Sequence, residues 1–449
     1  MSVTQDFVDR LTATSVATVG ERIVDAAQSA VVDHLAAGLY GARQPWSGIV
    51  AEHALLTGQR GKVPLYGRPE RCTAAIAARV NGTASHGFEL DDFHEPSLVH
   101  PGSVVMPAGL SVAAERQVDG LKFLGAVIAG YEAMGRLGFA ASAQASPWHT
   151  TGLHGTMAAA YTAAVCAGLP PPQIVTALGI AASFAGGLKA FQTGGGEVKR
   201  LHTGRAAENG IVAVELTEAG LTGPTDVLEN PRGYFAAYHA AEPDPARLTD
   251  NWGERYIIDE IYCKPYAACA ANHAAIEALK GILQRRAVEV DDVERIVIGS
   301  SGRGLAENSG IALTGTMSVQ YSVEAAAALT LLGTVDNPSS FELDHYVGSE
   351  AFQLAGRVEV VFDKEVDAAY PRRMAARARL ELRGGIAEEE FCPGLDAVTE
   401  PEARRAAAET KFRALTAGLL TTEQQEHVLR LALRLADGAS PAALLDALS

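Results

Sequence analysis

From its first residues to about position 250 the chain is a succession of alanine-rich segments. Their apolar residues recur at helical spacing, over 20–41, 70–86, 103–116, 119–141, 155–168, 171–189 and 203–220. A chain written this way buries helical stripes rather than sheet faces, and it predicts a large helical body. Gly and Pro mark the joins, as in 168–173 and 220–226, and no fixed-period repeat points to a solenoid. Near Trp252 the texture changes. Segments 256–262, 293–301, 357–363 and 376–385 are β-branched or alternating and read as strands, with helix-like stretches at 270–285 and 320–333 between them. From about 400 the pattern is helical again, and Thr422 three residues before Gln425 reads as a capping box. The fold expected is therefore mainly α. A large all-helical domain takes 1–254 and 400–449, and a smaller inserted α/β (α+β) lid domain takes 255–399.

Composition narrows the function. At 449 residues, 48% hydrophobic and 20% charged, the chain is long enough for two or three domains and is not disordered, coiled-coil or collagen-like. Its 37 Lys and Arg against 53 Asp and Glu give a net charge of −16, which argues against nucleic acid as a partner. An anionic small molecule remains possible provided cations gather locally to hold it. No apolar run is long enough to span a membrane. The N-terminus does not read as a secretory signal, and the five scattered cysteines read as reduced thiols, so a cytoplasmic protein is expected.

Seven of the 12 histidines fall in four short segments. In 81–110, His86, Glu89, Asp91, Asp92, His94, Glu95 and His100 lie on a stretch between two helices. Asp91 with His94, Glu95 and His100 has the chemistry of a divalent-metal site. The same residues equally suit a carboxylate orienting a proton-carrying histidine, and the plainest reading is a solvated loop. In 146–160, His149 and His154 flank a Thr-Thr-Gly turn feeding a small-residue helix, a plausible anion-receiving end. In 193–220, three glycines precede Lys199, Arg200 and His202, with a helix expected from about Thr203. This is neither GxGxxG nor a P-loop. In 262–283, Lys264 precedes Pro265 and His273 lies early in the next helix, while Tyr321 opens an apolar helix farther on.

These segments, in this order, resemble the MmgE/PrpD family, which includes 2-methylcitrate dehydratase, cis-aconitate decarboxylase and iminodisuccinate epimerase. The likeness rests on NGTASHGFELDDFHEPSLVHPG, WHTTG, KRLHTGRAAENG, KPYAACAANHAAIEA and MSVQYSVEAAAAL. It implies a homodimer with its active site between a helical domain and an α/β lid, and it implies no metal and no organic cofactor. It places the acidic motif on Glu89, Asp91 and Asp92, and the histidine before Pro on His100. It also points to His149, to Lys199 with His202 beside it, and to Lys264, His273 and Tyr321. The chain departs from the family at several points. Glu89-Leu90-Asp91-Asp92 stands where Asp-Phe-Asp-Asp is common, and Phe93 stands where the decarboxylase branch carries threonine. An insertion between Pro96 and His100 shifts the local spacing, and the glycine run 194–196 before Glu197 is unlike the dehydratase branch.

The reactions of these relatives all leave negative charge on carbon beside a carboxylate, which fixed cations and donors must stabilise. The expected substrate is thus a small di- or tricarboxylate. Lys199, Lys264 and His149 are expected to clamp its carboxylates, and His100, oriented by Asp91 or Asp92, to move the proton. Tyr321 and His273 are expected to assist from the lid, with Glu89, His202 and His154 lining the binding site. The leading expectation is a 2-methylcitrate- or citrate-type dehydratase. An iminodisuccinate-like epimerase or racemase and a cis-aconitate-type decarboxylase are the alternatives, followed by a metal-dependent enzyme and a catalytically silent binding protein.

Overall fold

Glycine and alanine let central helices of this chain cross almost backbone to backbone. In the computed structural model, which describes residues 2–57, 60–141, 147–238, 243–370 and 372–448, helix Ala74–Ser85 crosses helix Val198–Glu218 at Gly82 and Gly204. A Cβ on Gly204 would lie 2.1 Å from the Arg79 carbonyl oxygen, so only glycine permits this approach. The same long helix meets helix Thr150–Ala167 at Gly210, where a Cβ would lie 2.5 Å from the Ala160 nitrogen. These two crossings set where the start of the Val198–Glu218 helix lies.

The chain divides into two compact units. One comprises Met1–Lys189, Glu197–Cys263 and Ala397–Ser449, and the other Ala190–Gly196 and Lys264–Asp396. The first is built of helices Glu21–Ala42, Ala74–Ser85, Gly102–Arg116, Gly120–Ala140, Thr150–Ala167, Val198–Glu218 and Pro401–Thr416, with shorter ones around them. It also carries a small ribbon of β1 (Arg60–Pro64) and β2 (Arg71–Cys72). The core is largely Ala, Val and Leu, with Val31, Leu35, Val104, Val127 and Leu153 fully buried. Among the described residues no helix is long and apolar enough to cross a membrane.

The second unit holds a four-stranded sheet of β3 (Val293–Ser300), β4 (Val358–Phe362), β5 (Ala376–Leu382) and β6 (Ile386–Cys392), in the order β4-β3-β5-β6. Strands β3 and β4 are parallel and the other two pairings antiparallel. In β5, Ala376, Ala378, Leu380 and Leu382 are buried while Arg377, Arg379 and Glu381 point the other way, the alternation of a half-covered strand. Helix Ala270–Arg285 packs on β5 and β6. The chain is thus mainly α with a small α/β part, as its pattern implies.

Several details correct the sequence-based expectations. Residues 255–263 stay with the helical unit, so the division falls at Cys263 and Lys264 rather than at 254 and 255, and again at Asp396 and Ala397. Segment 256–262 is not a strand. Ile257–Glu260 is a 3₁₀ turn, and Phe93 and Tyr262 pair by a single bridge. The helix expected from Thr203 begins at Val198, the one expected to reach 189 ends at Ala182, and the one expected over 320–333 is broken at Ser322. The capping box is one residue earlier than read, formed by Thr421 and Gln424, because the Gln425 side chain is spent on the Arg413 carbonyl and Thr416. Ser146, the first residue of the second histidine segment, lies outside the described residues.

Candidate active site

Helix Ala74–Ser85 ends on His86, which is its C-cap and is fully buried. The chain from there to His100 folds back on itself in short turns. Glu89 adopts φ +54°, a left-handed conformation uncommon outside glycine, and its carboxylate meets the ammonium of Lys199. Both side chains are 3% exposed. Lys199 lies in the first turn of the Val198–Glu218 helix, and the glycine crossings bring that turn here. Its neighbour Arg200 donates from Nε to the Gly87 carbonyl at 2.7 Å and lies 3.7 Å over the Trp46 ring, which ties the helix start to the loop.

Asp91 is the centre of the cluster. Its Oδ2 is 2.6 Å from His86 Nδ1 and 3.3 Å from His100 Nδ1. His100 Nδ1 is also 2.8 Å from the Asp92 backbone carbonyl oxygen, a group that can only accept. The hydrogen of a neutral His100 therefore sits on Nδ1, and Nε2 carries the lone pair. Asp92 works differently. Its Oδ1 accepts the Gly102 N–H at 2.8 Å and its Oδ2 the Tyr131 hydroxyl at 2.7 Å, fixing the start of helix Gly102–Arg116.

His149 is the N-cap of helix Thr150–Ala167, and its Nδ1 is 3.2 Å from His202 Nδ1. Its ring also stacks against His86 at 5.6 Å between centroids. Gly152 lets the segment at Gly186 and the helix bearing His202 pack close to the helix that follows His149, since a Cβ there would lie 2.7 Å from the Gly186 oxygen and 3.3 Å from the His202 Cβ. His86, Glu89, Asp91, Asp92, His100, His149, Lys199 and His202 thus converge in the helical unit.

Burial governs the charges. It lowers His86 and His202 to about 4 each and His149 well below its ordinary value, with the Lys199 ammonium opposing their protonation further. Burial also raises Asp92 from 3.8 to about 7, against the lowering effect of the Tyr131 hydrogen bond. A carboxyl raised in the native state contributes stability that is present below 3.8 and is lost as pH rises through about 7. Asp92→Asn, which cannot ionise, is therefore expected to gain thermal stability relative to the wild type between pH 4 and pH 7. Melting curves of both proteins across that range check it, and a constant difference in Tm would contradict the burial argument.

Of the other expected residues, His154, His94 and Glu95 have different surroundings within the helical unit. His154 is buried one and a half turns into its helix and hydrogen bonds Tyr234 through Nδ1 at 2.8 Å. Five positions on from His149 turn a helical side chain by about 140° to another face. His94 bonds Ser97 at 2.6 Å and approaches Glu260 at 3.3 Å, and Glu95 is on the 3₁₀ turn Glu95–Ser97, so the expected metal set does not assemble. Lys264, His273 and Tyr321 belong to the smaller unit. There Lys264 is fully buried, His273 Nε2 is 3.0 Å from the Ala268 oxygen, and the Tyr321 carbonyl accepts from Asn272 at 2.9 Å. His86, named in the sequence cluster but given no role there, and Tyr131, which the sequence does not single out, both belong to this site.

Among the described residues one set of atoms has metal-ligand spacing. Ligand atoms of His86, Asp91 and His100 lie within 4.8 Å of one another. Hydrogen bonding joins His86 Nδ1 to Asp91 Oδ2 along one edge of this set.

Two family models match the chain in succession. The MmgE/PrpD N-terminal domain matches residues 5–246 and the MmgE/PrpD C-terminal domain residues 266–437. The chain belongs to the MmgE/PrpD family. Among its relatives, the cis-aconitate decarboxylase-like protein oryM of Aspergillus oryzae is 29% identical, over 95% of this chain and 93% of that protein. The cis-aconitate decarboxylase of Aspergillus terreus is 28% identical, over 90% and 86%. That of Homo sapiens is 30% identical, over 66% of this chain and 64% of the human protein.

Proposed function

We propose that this chain is a lyase needing no metal or organic cofactor, which acts on a small di- or tricarboxylate, with decarboxylation of cis-aconitate as its leading reaction. The observation that carries the reading is Asp91 held against His86 and His100, with Lys199, His149 and His202 close by. Citrate-type dehydration leads on sequence alone, and the relatives named as decarboxylases move the balance to loss of carbon dioxide. In that reaction one carboxylate leaves as CO2. Its bonding pair is delocalised through the adjacent alkene onto a second carboxylate, and one proton is then added to carbon. His100 can deliver that proton from Nε2 only as an imidazolium, and the Asp91 anion beside Nδ1 stabilises that form. His149 and Lys199 supply donors and charge for the substrate carboxylates, with His202 and Glu89 shaping the same place. Lys264, His273 and Tyr321 take the supporting roles that the family resemblance implies. The expected working form is a cytoplasmic homodimer.

Phe93 favours a second reading. Its ring lies 5.0 Å from that of His100, where the decarboxylase branch carries a threonine hydroxyl, and a pocket altered there suits dehydration or epimerisation. Incubation with cis-aconitate, citrate, 2-methylcitrate and iminodisuccinate in D2O, followed by proton NMR and CO2 release, separates the three. Decarboxylation gives CO2 and one incorporated deuteron, dehydration an alkene without CO2, and epimerisation deuterium at a stereocentre without an alkene. We expect the first, undiminished after exhaustive chelation with no stoichiometric metal by elemental analysis. No turnover across the panel would defeat the enzyme reading.

A further inference from the structure

A lysine near the far end of the chain reaches the backbone beside this cluster. Lys411 lies in helix Pro401–Thr416, and its Nζ donates to Asp33 Oδ1 at 2.7 Å and to the Leu90 carbonyl oxygen at 2.6 Å. Asp33 is in helix Glu21–Ala42 and its side chain is 1% exposed; that of Lys411 is 13% exposed. The ammonium thus joins two helices to one peptide of the loop. That peptide matters because its carbonyl and the Asp91 amide share one rigid plane. Fixing the Leu90 oxygen fixes the plane from which Asp91 departs, and from there the Asp91 carboxylate reaches both His86 and His100. The loop is also held by Arg200 on the Gly87 carbonyl, by the Glu89–Lys199 pair, by Asp92 on Gly102 and Tyr131, and by the Phe93–Tyr262 bridge. The Lys411 contact is the one made to the peptide that leads into Asp91.

We propose that Lys411, with Asp33 as its counter-ion, is a positioning residue that sets the orientation of Asp91 and through it of His86 and His100. It touches no reacting atom and acts through the peptide plane. The ion pair keeps the ammonium in place, since a buried Lys411 without Asp33 would carry an uncompensated charge. The kinetic arm of the test rests on the reaction proposed above; the spectroscopic arm does not.

The test compares Lys411→Met, Lys411→Arg and the double variant Asp33→Asn/Lys411→Met with the wild type. The double variant removes the whole pair, so it leaves no buried charge to unfold the chain. In protein labelled with 15N-histidine, the His86 signals, assigned by their loss in His86→Gln, report which ring nitrogen holds the proton. We expect a single Nδ1–H tautomer in the wild type and in Lys411→Arg, and a changed or mixed tautomer in the other two. For cis-aconitate, kcat should fall about 10–100-fold in Lys411→Met and in the double variant with KM little changed, and recover in Lys411→Arg. A folded double variant with wild-type His86 signals and wild-type kcat overturns the proposal. Should the wild type turn over none of the polycarboxylates while the His86 signals respond as described, the brace stands and only the proposed reaction falls.

Discussion

Asp91→Asn is expected to lower kcat by about a thousandfold while leaving KM for the substrate close to wild type. The carboxylate faces two imidazoles at once, at 2.6 Å from His86 and 3.3 Å from His100. Ionised, it accepts from His86 and stabilises the imidazolium through which His100 passes a proton. Both distances run to Oδ2, so an asparagine with its carbonyl oxygen in that place still accepts from His86, but the negative charge that stabilises the His100 imidazolium is gone. Asn fills the same volume, so the fold should hold, and circular dichroism with steady-state kinetics checks both halves. A folded Asp91→Asn protein within tenfold of wild-type kcat would remove Asp91 from the chemistry.

How far all this could be read from the sequence depends on the range of the interaction. Helix Ala270–Arg285 was legible because an apolar stripe and a polar face repeat over 16 residues. Strand β6 was not, because Glu388, Glu389 and Glu390 break any alternation; they sit on an edge and meet Arg286, Arg377 and Arg285 instead. Segment 256–262 misled for the opposite reason. Its isoleucines suit a strand, but Glu132, 125 residues away, binds the Ile257 N–H and holds the chain in a turn. In the site, Asp91, Asp92 and His100 stand out as acids and imidazoles in one short stretch. His86 is equally close in sequence, yet it hides as the cap of an alanine-rich helix. The pairing of Glu89 with Lys199 spans 110 residues and depends on glycine contacts between helices. No local pattern encodes such a meeting, nor one between residues 90 and 411.

That long-range pair carries the largest expected effect on stability. Lys199→Met should destabilise the protein by about 3–5 kcal/mol, because it leaves the Glu89 carboxylate buried without its lysine. Glu89 cannot turn out to water easily, since its side chain is 3% exposed and its backbone is held in the left-handed region. The loss should show as a lower urea midpoint with an unchanged m-value. Converting the partner as well, in Lys199→Met/Glu89→Gln, replaces both charges by neutral groups of similar size, and most of the lost stability should return. Activity should not return with it. The lysine is also a fixed cation felt by His86, His149 and His202, and a substrate carboxylate arriving there would lose the attraction of that charge. The double variant should therefore be stable with a raised KM and a reduced kcat, which separates Lys199 as a structural counter-ion from Lys199 as a binder of substrate. A double variant as active as the wild type would leave it the structural role alone.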